Sequence, residues 1–146
     1  CVSSPSEFTQ GHFQEVIDDL SQNPNPRRLF FCSGKVFYDL IQEKQKRGIS
    51  DIAFVRIEQL YPFPETKVKQ ILQRYSPKEG IYWIQEEHSN SGAWEYIRVR
   101  LNELLGAKET VKYIGRDRSA SPAAGSHALH KKQLEQIMQN AFGEKQ

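Results

Sequence analysis

Leu29-Phe30-Phe31-Cys32-Ser33-Gly34-Lys35-Val36-Phe37-Tyr38-Asp39-Leu40 decides how the rest of the chain is read. Its four leading apolar residues form an unbroken run, the signature of a strand buried on both faces. Ser33-Gly34 reads as a tight turn. From Val36 the apolar residues recur as Val36, Phe37, Leu40 and Ile41, which is helical spacing. A strand that passes through Ser-Gly-Lys into a helix leaves backbone N–H groups at the positive end of the helix dipole, and Lys35 adds a full charge beside them. The phosphate loop of nucleoside triphosphatases needs a further glycine upstream and a hydroxyl residue after the lysine; here Arg28 and Leu29 precede and Val36 follows. Two readings stay open: an anion-binding turn, or a plain connection with a surface lysine.

Outward from this stretch, the pattern repeats. A helix over Lys35 to Arg47 should stop at Gly48. Ile52 to Ile57 is a second strand, rich in β-branched residues. Tyr61-Pro62-Phe63-Pro64 makes a rigid turn, followed by a helix whose buried stripe is Val68, Ile71, Leu72 and Tyr75. Ile81 to Ile84 is a short strand, running into the polar stretch Gln85 to Gly92. Trp94, Ile97, Leu101, Leu104 and Leu105 mark an amphipathic helix. Val111 to Ile114 alternates like a strand near the sheet edge. Gly115 to Gly125 reads as a loop too basic to be core, and Leu134, Ile137, Met138 and Ala141 mark a last helix. Upstream, residues 1–27 form a polar lead-in with one short strand over Phe13 to Ile17 and a loop over Ser21 to Pro26. The folded unit occupies residues 28–146. Alternating strands and helices call for an α/β fold with three α/β/α layers and a parallel sheet. Ligands of such sheets sit beyond the strand carboxyl ends. The loops at Ser33 to Lys35, Gln85 to Gly92 and Arg116 to Ser121 are all expected there.

Composition sets further bounds. With 146 residues the chain suffices for one domain with a real core. Twenty basic residues against eighteen acidic ones, interspersed, leave a net charge of +2. That balance gives no bulk-charge argument for nucleic acid or a membrane surface, so an anion site must be local. The sequence has no apolar run of membrane-spanning length, and its opening residues lack the basic lead and apolar core of a signal peptide. Two cysteines make no disulfide framework, and Cys32 falls within the buried strand; this points to a cytosol-like compartment. The absence of Met at position 1 leaves open a processed chain or a piece of a longer one.

Arg116 and Arg118 flank Asp117 and precede Ser119 and Ser121. Arginine forks match phosphate or carboxylate oxygens, and serine hydroxyls add donors. With Ser33, Gly34 and Lys35 they compose a candidate phosphate pocket; alternatively, Asp117 neutralises one arginine and both lie in solvent. Glu86, Glu87 and His88 can act as acid and base, but a strand-end run of this kind more simply caps a helix or pairs with a neighbour unless a partner chain closes over it. His127 and His130 lie three apart with no third ligand in view, which favours solvated histidines over a metal site. No catalytic set is complete: there is no nucleophile elbow, metal cluster or dinucleotide fingerprint.

Four motifs in order nonetheless carry a resemblance over nearly the whole chain. They are Phe31 to Leu40; Val55-Arg56-Ile57-Glu58-Gln59-Leu60-Tyr61-Pro62-Phe63-Pro64; Gln85-Glu86-Glu87 with Asn90 and Gly92-Ala93-Trp94; and Gly115-Arg116 with Ser119-Ala120-Ser121-Pro122. Together they resemble the C-terminal domain of the E1 component of the 2-oxoglutarate dehydrogenase complex. The resemblance implies a transketolase C-terminal-like fold, a mostly parallel sheet of about five strands with one antiparallel strand. It implies a parent enzyme that uses thiamine diphosphate and magnesium to decarboxylate 2-oxoglutarate and passes the succinyl group to a lipoyl arm of E2. The cofactor is expected in upstream domains between two E1 subunits, with no catalytic residue, cofactor or metal in this domain. Glu86, Glu87, His88, Asn90 and Trp94 are then expected at a domain or subunit interface. An effector such as AMP or acetyl-CoA is expected at the phosphate pocket, and the compartment is the bacterial cytosol or the mitochondrial matrix. His88 stands where that family usually has proline, and Asp117-Arg118 where it has a proline-alanine pair. A 2-oxoadipate-type E1 or a stand-alone anion- or nucleotide-binding module are the alternatives.

Overall fold

The computed structural model describes residues 11–18, 23–121 and 125–143. These form β1 (Val16–Asp18), β2 (Arg28–Cys32), α1 (Val36–Arg47), β3 (Ile52–Ile57), α2 (Glu65–Arg74), β4 (Ile81–His88), α3 (Trp94–Leu105), β5 (Lys112–Arg116) and α4 (His127–Phe142), with a 3-10 turn at Gly106–Lys108 after α3. The sheet order is β1-β3-β2-β4-β5. β2 to β5 run parallel, and β1 lies antiparallel along β3. After β3 the chain passes over β2 to reach β4. The strand order therefore reverses at β2, and a crevice is expected between the carboxyl ends of β2 and β4.

The period of two along β2 divides the core. Leu29 and Phe31 face one side, with Ala53, Val55 and Trp83 from the sheet and Val68, Ile97 and Leu101 from α2 and α3. Phe30 and Cys32 face the other, with Phe54 and Ile84 and with Val36, Leu40 and Ile137 from α1 and α4. Both faces of the first parallel strand are buried, and three layers result, as its composition requires.

Several boundaries differ from the sequence reading. β1 is shorter than Phe13 to Ile17, and Phe13 is 64% exposed. β4 continues through His88, and β5 through Arg116, where polar loops were expected. The reason is mutual. His88 still finds a partner in Arg116, across an irregularity in which four steps along β4 answer two along β5. Arg116 is accordingly buried rather than on a loop. The loop expected over Ser21 to Pro26 lies partly outside the described residues.

Helix ends follow local chemistry. Gly48, at φ 65°, stops α1, and the Gly48 and Ile49 amides donate back to Gln45 and Lys44 carbonyls at 3.1 Å each. α4 starts at Ser126, whose hydroxyl accepts the Leu129 amide at 3.2 Å. Its last carbonyls are gathered by arginines: Arg28 Nη1 donates to Asn140 and Ala141, each at 3.0 Å, and Arg47 Nη1 to Gly143 at 2.8 Å. Ser126→Ala should lower the unfolding free energy by about 0.5–2 kcal/mol, the usual worth of an N-cap, as read from urea midpoints. An unchanged midpoint would show that α4 is held by its buried face alone.

Candidate functional site

Two cavities open along the carboxyl edge of the sheet. The larger, about 500 Å³, fills the crevice between β2 and β4. Ser33, Gly34, Lys35, Glu86 and Glu87 line it, with Leu60, Tyr61, Trp83 and Tyr96 supplying apolar wall. The smaller, about 290 Å³, lies between the end of β5 and α4, and His88, Arg116, Arg118, Ser119 and Gln133 stand on its wall. The residues proposed as one phosphate pocket thus share an edge but divide between two cavities, Lys35 in one and the arginines in the other. Ser121 is on neither wall; its amide donates to Ser119 Oγ at 3.1 Å.

The electrostatics of the two differ. Lys35 Nζ hydrogen-bonds Asp39 and lies 3.6 Å from Glu86. The Asp39 contact, with Glu86 behind it, raises the Lys35 pKa above its ordinary value. The lysine is charged but already committed to carboxylates. On the smaller cavity, Arg116 Nη2 lies 2.7 Å from His130 Nδ1. A guanidinium only donates, so His130 Nδ1 accepts and carries no proton. His130 is therefore paired, not simply solvated, while His127 is exposed. His88 Nδ1 is 2.7 Å from the Asp117 carbonyl and must donate to it.

Asn90 holds the two rim loops together. Its Nδ2 donates to the Ser119 carbonyl at 2.9 Å, and its Oδ1 accepts the Ser119 amide at 3.1 Å. Trp94 packs its ring 5.0 Å from that of Tyr113. The Tyr113 hydroxyl donates to the carbonyls of Arg116 and Glu87, at 2.9 and 3.1 Å. Gly115 makes room for it, since a Cβ there would strike the tyrosine hydroxyl.

Sequence reasoning missed Gln85, which organises this edge. It is 3% exposed, and its Oε1 accepts both Trp83 Nε1–H at 2.9 Å and the Trp94 amide at 3.0 Å. Its Nε2 donates among the carbonyls of Ser91, His88 and Glu87, at 2.8, 3.1 and 3.4 Å. The α3 N-terminus is thus capped from a neighbouring strand rather than by its own N-cap residue, Ala93. The signal was present: Ile81, Trp83 and Gln85 share one face at a period of two, which puts an amide on an inward position.

Burial pushes the Cys32 thiol from 9.0 up to about 12 and the Tyr113 phenol from 10.0 up to about 12. Both groups hold their proton more tightly in the folded chain than in the unfolded one. Their stabilisation is complete below pH 9 and is lost as pH rises toward 12. Urea midpoints should therefore fall steadily over that range, and Cys32→Ala should flatten the fall. A flat profile for the parent chain would contradict the burial of these groups.

A mostly parallel α/β domain with two cavities at the carboxyl ends of its strands has the layout in which folds of this class hold their ligands. Residues 2–142 match the family described as 2-oxoglutarate dehydrogenase C-terminal, and the chain belongs to that family. It is 41% identical over 143 residues to the 2-oxoglutarate dehydrogenase E1 component of Haemophilus influenzae, covering 97% of this chain and 15% of that protein. Against the mitochondrial 2-oxoglutarate dehydrogenase of Caenorhabditis briggsae the identity is 42% over 148 residues, covering 97% and 14%. A probable 2-oxoadipate dehydrogenase complex component E1 homolog of Dictyostelium discoideum is 37% identical over 146 residues, covering 97% and 16%. The chain thus spans about one-sixth or less of the relatives it matches.

Proposed function

We propose that the chain is the C-terminal domain of a 2-oxoglutarate dehydrogenase E1. In this reading the parent enzyme oxidatively decarboxylates 2-oxoglutarate and passes a succinyl group to the lipoyl arm of E2. The domain does no chemistry itself; it supports assembly of two E1 subunits and binds a nucleotide effector such as AMP or acetyl-CoA. The supporting observation is the match of residues 2–142, together with relatives named for 2-oxoglutarate. The Dictyostelium relative supports a second reading, a 2-oxoadipate-type E1.

The proposal assigns thiamine diphosphate and its metal to upstream domains. Glu86, Glu87, His88, Asn90 and Trp94 are proposed to face one of those domains or the second subunit, because the larger cavity beside them pairs two carboxylates with the 84% exposed ring of Tyr61. None of the described helices is long and apolar enough to cross a membrane. The compartment is proposed as the bacterial cytosol or the mitochondrial matrix.

The test is a graft. The chain replaces the matching segment of the Haemophilus E1 component, and turnover is measured with 2-oxoglutarate and with 2-oxoadipate. Dimeric, active hybrid with the host's substrate preference is the expected result. A hybrid that folds but cannot dimerise or turn over would sink the assembly role. Carbon dioxide release by the chain alone, given thiamine diphosphate, magnesium and 2-oxoglutarate, would overturn its non-catalytic assignment.

A further inference from the structure

Phe13 and Tyr61 are the two most exposed large apolar side chains among the described residues, and they stand at the same end of the sheet. Because β1 runs antiparallel to β3, the chain entering β1 and the chain leaving β3 share one rim. There the Glu15 carbonyl accepts the Glu58 and Gln59 amides at 2.9 and 3.1 Å. Tyr61 and Leu60 also line the larger cavity, so this apolar rim runs into the cleft that holds Glu86 and Glu87. Exposed aromatic surface beside a charged cleft is a feature of interaction surfaces. Charge defines what fits it. Lys35 Nζ is engaged by Asp39 and lies 3.6 Å from Glu86. Glu87 is exposed, and its carboxylate has no hydrogen bond or ion pair among the described residues. Its Oε2 lies 3.1 Å from where a Cβ on Gly92 would stand, and Gly92 lines the same cavity. Arg100 lies over the Tyr96 ring at 5.5 Å but binds Glu103 at 3.3 Å, so its charge is already matched. The first α3 amide, a second positive element on this wall, is taken up by Gln85 Oε1. Asp39, Glu86 and Glu87 thus oppose the single ammonium of Lys35, and the surplus selects a cation. A guanidinium suits both parts of the surface: its fork matches carboxylate oxygens and its flat face stacks on tyrosine.

We propose that this rim docks the polypeptide that precedes the domain in its parent E1 chain, through an arginine seated between Glu87 and Tyr61 and an apolar side chain against Phe13. The matched relatives are about six times longer or more, and the chain enters the sheet through Gly11 to Phe13, at this same rim. Upstream chain is therefore tethered beside the surface, which raises its effective concentration there. The inference deepens the reading above by naming the partner's chemistry, and rests on that reading for the occupant's identity alone.

Two measurements test this. In the first, the whole chain is titrated with acetyl-leucyl-arginine amide and with its citrulline counterpart, which has the shape without the charge, and amide shifts are followed by NMR. The arginine peptide should bind about fivefold tighter, as expected for a partly solvated charge pair, and the advantage should shrink at high salt. Glu87→Gln should remove most of the advantage, whereas Tyr61→Ala should weaken both peptides. Equal binding of the two peptides, no binding at millimolar concentration, or shifts that avoid Tyr61 and Glu87 overturns the surface. In the second, the Haemophilus hybrid carries Tyr61→p-benzoylphenylalanine and is irradiated. A cross-link within one chain, to an upstream peptide that contains arginine, supports the occupant. A cross-link to the second subunit, or none in a dimeric and active hybrid, overturns it. An unsubstituted hybrid that cannot assemble sinks the E1 reading and this occupant with it, while the arginine preference of the isolated chain still decides the surface.

Discussion

Gln85→Leu is expected to destabilise the chain by about 2–6 kcal/mol, because it orphans two buried donors at roughly 1–3 kcal/mol each. The Trp83 indole N–H and the Trp94 amide lose their common acceptor, and the carbonyls of His88 and Ser91 lose a donor. For a chain of this size the loss corresponds to roughly 6–20 °C in thermal midpoint. Leucine keeps the volume, so packing is not the cause. Gln85→Glu separates the two halves of the network. The new carboxyl can still accept from both tryptophans but faces three carbonyls with a negative charge. It favours its protonated form in the folded chain, so the variant should gain stability as pH falls, relative to the parent. Wild-type midpoints for both variants would show that solvent reaches this amide and that α3 does not depend on it for its cap.

Phe54→Ala should cost about 3–5 kcal/mol, the usual penalty for truncating a buried aromatic ring. Phe54 is fully buried, with ring centroids 5.4 Å from Phe30 and 6.1 Å from Phe142. It therefore joins the central sheet to the last turn of α4. Since domains of this kind are stable by only about 5–15 kcal/mol, the variant approaches the limit of folding at 37 °C. Phe54→Leu, which fills most of the space, should cost less than about 1.5 kcal/mol. Urea unfolding measures both. Equal, small losses would mean that the face of the sheet against α4 is loosely packed.

The elements that sequence reading recovers are those whose cause is local. The apolar run Leu29 to Cys32 needs cover on both sides wherever it lies, so a central strand and three layers follow. Gly48 ends its helix because it adopts φ 65° without a side-chain clash. The ordered motifs that carry the family resemblance are likewise a property of the string. Polar strand ends were harder to read. Gln85, His88 and Arg116 look like the start of loops because isolated polar residues prefer water. Each remains in the sheet because a partner outside its own strand satisfies it: Ser91 and Trp94 for Gln85, Asp117 for His88, His130 for Arg116.

The amino-acid string by itself determined the alternation of strand and helix, the buried first strand and membership of an E1 C-terminal family. These depend on spacing and residue type alone. Only the tertiary structure decided that Lys35 and Arg116 line different cavities. Which cavity a rim residue lines depends on strand order, which places β4 between β2 and β5, and on the register step between Ile84 and His88. A period of two cannot report either one, because each is set by pairing between strands that are distant in sequence.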